Sequence, residues 1–205
     1  MTPATHTILS IATARPAPFR GVFSEAVRWL SAAYLRATGW TMQGDWPALD
    51  KMVLVAAPHT SNWDGINMLA AAGYYRVRLR WMGKKSLTQG PFGWIIRLLG
   101  CVPIDRSESH DVVKTMADRF AAEEQMVLAV PPEGTRSAAR TWKSGFYHIA
   151  VAAGAPILVT VLDYGAKTMR LAALVSPSGD YDADLPLIRE HYKNVVGKHP
   201  AKFVA

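Results

Sequence analysis

The sequence predicts one α/β domain, with a mixed, largely parallel sheet flanked by helices and an N-terminal amphipathic helix in front of it. Three observations predict this. Short unbroken apolar runs, Met52–Ala57 and Met126–Val130 among them, have the length and content of strands buried on both faces. Stretches with apolar residues every three or four positions lie between these runs, and strands alternating with helices make parallel sheets. The length, 205 residues, suits one domain that buries roughly 70% of its unfolded surface and needs no disulfide or metal to hold a core.

Residues 1–20 hold Thr, Ala and several prolines and read as a mobile lead-in; residues 21–205 form the domain. Residues 22–38 place Phe23, Val27, Leu30 and Tyr34 on one stripe, with Arg28 and Arg36 off it and Gly39 as a stop. This helix either packs on the core or lies in a membrane interface anchored by Trp29 and Trp40. Met52–Ala57 is a buried strand and Asp64–Tyr75 a helix. Val77–Trp81 alternates with Arg78 and Arg80 as a half-exposed strand. Phe92–Leu99 is a short helix stopped by Gly100, and Cys101–Ile104 a short strand. Asp111–Glu124 is an amphipathic helix with Ser109 as N-cap. Met126–Val130 is a strand, Ser144–Ala153 a helix closed by Gly154, and Pro156–Leu162 and Met169–Val175 are strands. Pro186–Val196 is the last helix.

Composition narrows the function classes. Half the residues are apolar and 19% charged, which excludes a disordered or fibrous chain. The single cysteine, Cys101, excludes an intramolecular disulfide and a cysteine-rich metal site. The net charge of +7 favours an anionic partner: nucleic acid, anionic lipid head groups or a phosphorylated substrate. No recognised nucleic-acid motif surrounds Arg78, Arg80, Lys84 and Lys85, so the expectation is a membrane surface or a phosphorylated substrate rather than nucleic acid. The longest nearly unbroken apolar run, Ile149–Leu162, is interrupted by Gly154 and Pro156 and is short of the about 20 residues of a membrane span.

The tract Pro58-His59-Thr60-Ser61-Asn62-Trp63-Asp64 lies between a strand and a helix. In a continuous helix His59 and Asp64 would point about 140° apart. With His59 on the turn, Ser61 or Asn62 as N-cap and Asp64 in the first helical turn, the carboxylate can meet one imidazole nitrogen. The other nitrogen can then take a proton from a hydroxyl, which makes a base with an orienting partner and no protein nucleophile. The bland alternative is a hydrogen-bonded structural histidine. Two further tracts, Val102-Pro103-Ile104-Asp105-Arg106 and Pro132-Glu133-Gly134-Thr135-Arg136, also place polar groups just past predicted strands, where open α/β sheets collect their sites. Gly154-Ala155-Pro156-Ile157 opens a fourth block. Arg106 can alternatively pair with Asp105 or Glu108 on the surface, and Glu133 with Arg136. His148, on an apolar helix, reads as a satisfied core histidine, and the remaining histidines have no metal-ligand spacing.

In this order and spacing, from about residue 53 to 165, the blocks resemble the glycerolipid acyltransferases of the lysophosphatidic acid acyltransferase or PlsC type, in a short bacterial subgroup suggested by Trp142-Lys143-Ser144-Gly145-Phe146. The resemblance implies transfer of a fatty acyl group from acyl-CoA or acyl-carrier protein to the hydroxyl of a lysophospholipid such as 1-acylglycerol 3-phosphate. His59 would be the general base and Asp64 its partner. Arg106, Glu133, Gly134, Thr135, Arg136 and Lys84 would line the acceptor site, the guanidinium because it can hold phosphate through two parallel bonds. It implies no cofactor and no metal beyond the acyl donor. It also implies phospholipid biosynthesis at the cytoplasmic face of a membrane, bound peripherally to an anionic surface. The alternatives are a non-catalytic lipid-binding protein of the same fold and an acyl-thioester hydrolase.

Overall fold

In the computed structural model, residues 8–9, 22–104, 109–134 and 141–204 are described. The mobile lead-in expected at residues 1–20 lies outside them except for Ile8–Leu9. The chain runs β1 (Ile8–Leu9), α1 (Val22–Ala37), β2 (Thr41–Gln43), β3 (Lys51–Ala57), α2 (Asn62–Tyr74), β4 (Leu79–Lys84), a 3₁₀ turn (Lys85–Thr88) and α3 (Gly93–Leu98). It continues β5 (Cys101–Ile104), α4 (Ser109–Ala122), β6 (Met126–Val130), α5 (Gly145–Ala153), β7 (Ile157–Asp163), β8 (Thr168–Val175) and α6 (Tyr181–Glu190).

The strands form one mixed sheet in the order β1-β8-β7-β3-β6-β4-β5, with β2 paired to β8. From β7 across to β5 every neighbour is parallel; β8 returns antiparallel on β7 and β1 antiparallel on β8. Parallel strands are covered on both faces, and the period of two in β3 shows how. Val53, Val55 and Ala57 face one core with Met116 and Phe120 of α4, Phe146 and Ile149 of α5 and Ile188 of α6. Met52, Leu54 and Ala56 face the other, with Met68 and Ala72 of α2 and Leu79 of β4.

Several features depart from the sequence expectation, β4 among them, which runs Leu79–Lys84 rather than Val77–Trp81. The last helix starts at Tyr181 rather than Pro186, because Asp180 accepts from the backbone N–H of Asp182 and Ala183 and caps it there. Proline is favoured at a helix start, yet here it lies inside the helix. Strand β2 has three residues, too few for an alternation to be read from sequence; its register with Thr168–Arg170 comes from the tertiary fold. Trp40 is buried beside Leu35 and Met169, so it is not an interfacial anchor, whereas Trp29 is exposed. His148, expected in the core, is exposed on the outer side of α5, because Tyr147 and Ile149 on either side of it take the buried positions.

Candidate active site

The register of the central strands brings the predicted tracts together. Val55 of β3 pairs with Val130 of β6; His59 follows four residues after the first and Glu133 three after the second. Both therefore emerge at the carboxyl end of the sheet, and the backbone N–H of His59 donates to Glu133 Oε1 at 2.9 Å. Lys84 ends the next strand, β4, and is exposed. Arg106, Thr135 and Arg136 lie outside the described residues.

Helix α2 begins as the sequence predicts. Ser61 is its N-cap, accepting from Trp63 N–H at 3.1 Å, and Asp64 at N3 reaches back to complete a capping box. The Asp64 carboxylate is 3% exposed and receives four donors. Its Oδ2 accepts from the N–H groups of Thr60 (2.5 Å) and Ser61 (2.7 Å). Its Oδ1 accepts from Ser61 Oγ (3.0 Å) and the Tyr164 phenol (2.6 Å). The same Oδ2 lies 3.9 Å from His59 Nδ1. The helix start and the imidazole thus approach one carboxylate, with the imidazole at ion-pair rather than hydrogen-bond distance. The ring of His59 is 27% exposed.

His59 and Asp64 stand in the wall of a cleft. The cleft runs beneath α2, between Met68, Ala72 and Tyr75 of the helix and Leu54 and Leu171 of the sheet, as far as Trp46. Its walls are almost wholly apolar. Trp46 and Tyr75 pack at the far end with tilted rings, centroids 5.5 Å apart, and the Tyr75 hydroxyl donates to Gly44 O at 2.7 Å. About 16 Å of helix separates Asp64 from Tyr75. Such a lining suits an apolar group.

Glu133 was expected to line the acceptor site. The residue is 2% exposed, its Oε1 accepts from the His59 backbone, and Oε2 has no hydrogen-bond partner among the described residues. Burial pushes this carboxyl up to about 7, only partly offset by the His59 N–H and its own backbone, with the nearby Asp64 charge adding to the rise. Gly134 turns the chain with φ +64°, where a Cβ would come within 2.8 Å of Lys143 Cδ. No metal-binding cluster of His, Cys, Asp and Glu occurs among the described residues.

Sequence reasoning missed Tyr164, Asn67 and Tyr34. The Asn67 amide donates to the Tyr164 hydroxyl at 3.0 Å, and the Tyr34 hydroxyl donates to Asn67 Oδ1 at 2.9 Å. No local pattern marks them, because Tyr164 lies 100 residues from Asp64. It also missed the C-terminal segment, where His199 N–H donates to Thr60 Oγ1 at 3.2 Å and closes the back of the turn.

Comparison with known proteins fits this arrangement. The chain is 35% identical over 125 residues to the 1-acyl-sn-glycerol-3-phosphate acyltransferase of Salmonella typhimurium, and 34% identical over 125 residues to that of Escherichia coli. Each alignment takes in 58% of this chain and 49% of the relative, so the chain spans about half the length of the curated relatives it matches. The crystal structure of the 1-acyl-sn-glycerophosphate (LPA) acyltransferase PlsC from Thermotoga maritima superposes with a TM-score of 0.56 at 17% identity, covering 84% of this chain and 76% of that one. It shares the α/β fold. The family model described as Acyltransferase matches residues 40–162, from the residue before β2 nearly to the end of β7, and so takes in the His59–Asp64 turn, the Glu133 loop and the strands that set them side by side; the chain belongs to the acyltransferase family.

Proposed function

We propose that this chain moves a fatty acyl group from an acyl thioester, acyl-CoA or acyl-carrier protein, to the hydroxyl of 1-acylglycerol 3-phosphate or a close lysophospholipid. The observation that carries the reading is a half-buried imidazole, backed by a buried carboxylate, in the wall of an apolar cleft. The ring nitrogen away from Asp64 takes the proton of the acceptor hydroxyl as its oxygen attacks the thioester carbonyl carbon. The tetrahedral intermediate collapses, the C–S bond breaks, and the imidazolium returns its proton to the departing thiolate. Asp64 orients the ring and favours its charged form. Glu133, through the His59 N–H, holds the turn on which the base stands. The cleft beneath α2 takes the acyl chain. Lys84 with Arg106, Thr135 and Arg136 supplies cations and donors for the acceptor phosphate. The thioester is a co-substrate, and no further cofactor is invoked.

The test is incubation with labelled acyl-CoA and a panel of lysolipids, with products read by mass. Diacylglycerol 3-phosphate formed from 1-acylglycerol 3-phosphate is the expected result. Free fatty acid released without dependence on any acceptor would replace this reading with a hydrolase. Vesicle binding with no transfer from any thioester would replace it with a lipid-binding protein.

We also propose that the chain works peripherally on the cytoplasmic face of an anionic membrane. No helix among the described residues is long and apolar enough to cross one. Helix α1 packs on α2, with Val27 and Ser31 against Gly73, and α3 lies on the same side of the sheet, where Leu99 O accepts from the Trp81 indole. Phe23, Trp29 and Leu30 of α1, Trp63 and Ile66 of α2, and Phe92, Trp94 and Leu98 at α3 are exposed. Lys84, Lys85 and Arg97 flank the last group. Apolar side chains ringed by cations suit a bilayer carrying anionic lipid. Replacing Phe92 and Trp94 together by serine is expected to weaken cosedimentation with phosphatidylglycerol vesicles by about tenfold.

A further inference from the structure

The Asp64 carboxylate is held by more than its own helix requires. Three of its four donors, the N–H groups of Thr60 and Ser61 and the Ser61 hydroxyl, belong to the turn it caps. Any acidic residue at the third position of a capped helix makes such contacts. The fourth, Tyr164 O–H, arrives from just past the end of β7. It is the only donor from another part of the fold among those described.

We propose that Tyr164 is a positioning residue of acyl transfer, holding Asp64 in register with His59, and that Asn67 and Tyr34 extend this hold to helix α1. The inference rests on the reading of His59 as the base. The geometry runs in one direction. Tyr34 O–H donates to Asn67 Oδ1, Asn67 Nδ2 donates to the Tyr164 oxygen, and Tyr164 O–H donates to Asp64 Oδ1. Asn67 and Tyr164 each accept from the group before and donate to the group after, so each bond polarises the next. The short contact at Oδ1 fixes the rotation of the carboxylate, and rotation decides where Oδ2 stands relative to His59 Nδ1. The phenol is kept in place by Trp40, edge-on at 4.9 Å. Burial, then the bond to Asp64, push its pKa well above the ordinary 10, so it remains a donor throughout the working pH range.

Both Tyr34 and Trp40 belong to α1 and its immediate C-terminal end, and the same helix exposes Phe23, Trp29 and Leu30. A helix that meets the lipid thus also braces the catalytic carboxylate, three hydrogen bonds away.

The test compares Tyr164→Phe, Tyr34→Phe and the double variant with His59→Ala, using purified full-length protein and saturation kinetics across pH. Tyr164→Phe is expected to lower kcat about tenfold while both KM values stay within about twofold. The acid limb of kcat/KM should move to higher pH, because a carboxylate stripped of one donor pulls harder on the imidazole proton. Tyr34→Phe should act in the same direction but less, and should add nothing once Tyr164 is already Phe. Unchanged kinetics in Tyr164→Phe would overturn the proposal. So would a loss that merely tracks the folded fraction, read by circular dichroism, with the acid limb unmoved. Additive effects of the two tyrosines would overturn the link to α1. Full activity in His59→Ala would instead remove the base on which the inference rests; an inactive His59→Ala beside a wild-type Tyr164→Phe would remove the inference alone.

Discussion

Replacing His59 with alanine is expected to cut acyl transfer by about 10²–10⁴-fold, the usual worth of a positioned general base. The fold should survive. The bond that ties this turn to Glu133 uses the His59 backbone N–H, which alanine retains. The side chain is about a quarter exposed, so its removal leaves no sealed cavity. Asp64 keeps its four donors, so the start of α2 stays capped. Initial rates with acyl-CoA and 1-acylglycerol 3-phosphate, measured beside urea unfolding of the same preparations, check both halves. A variant as active as the native chain would refute the role, and a variant that unfolds would point to a structural histidine.

The second large effect concerns Glu133. Its carboxyl titrates near 7 instead of 4.5, because burial penalises the charged form more than the His59 N–H and the neighbouring backbone favour it. Between those two values the native state holds a proton that the unfolded chain has released. Stability therefore falls as pH rises from about 4.5 to about 7, by an amount on the order of 3 kcal/mol once the group is ionised. Glu133→Gln keeps an oxygen to accept from His59 N–H and cannot ionise. It should remove this pH dependence and raise stability at pH 8 by about 1–2 kcal/mol. The gain is smaller than the full amount because a buried amide NH₂ then stands where Oε2 finds no partner among the described residues. Urea midpoints at several pH values between 5 and 8 decide the matter: parallel slopes for native and variant protein would contradict the assignment.

The fold was legible because its strands carry their burial in their composition. Met126–Val130 emerged with the bounds it has in the structure, and Met52–Ala57 missed a single residue, since a parallel strand covered on both faces is an apolar run and little else. The Ser61 cap was legible from side-chain chemistry, and with it the approach of Asp64 to His59. What failed was information that no local pattern holds. Strand β2 exists because β8 offers it an edge. The last helix begins where Asp180 caps it, and the proline drew the expected start five residues too late. His148 occupies an outward position on a helix so apolar that every face of the sequence looked inward. At the site, the meeting of Glu133 with His59 depends on the pairing of β3 with β6, and Tyr164 enters from a strand end in the other half of the chain.

One pair of oxygen atoms has two employments here. Those of Asp64 begin helix α2 and also face the imidazole. If His59 is the base, warming that frays a single helical turn is expected to silence acyl transfer while the hydrophobic interior is still whole. An engineer who retunes the basicity of the histidine through this carboxylate must loosen the scaffold in the same stroke.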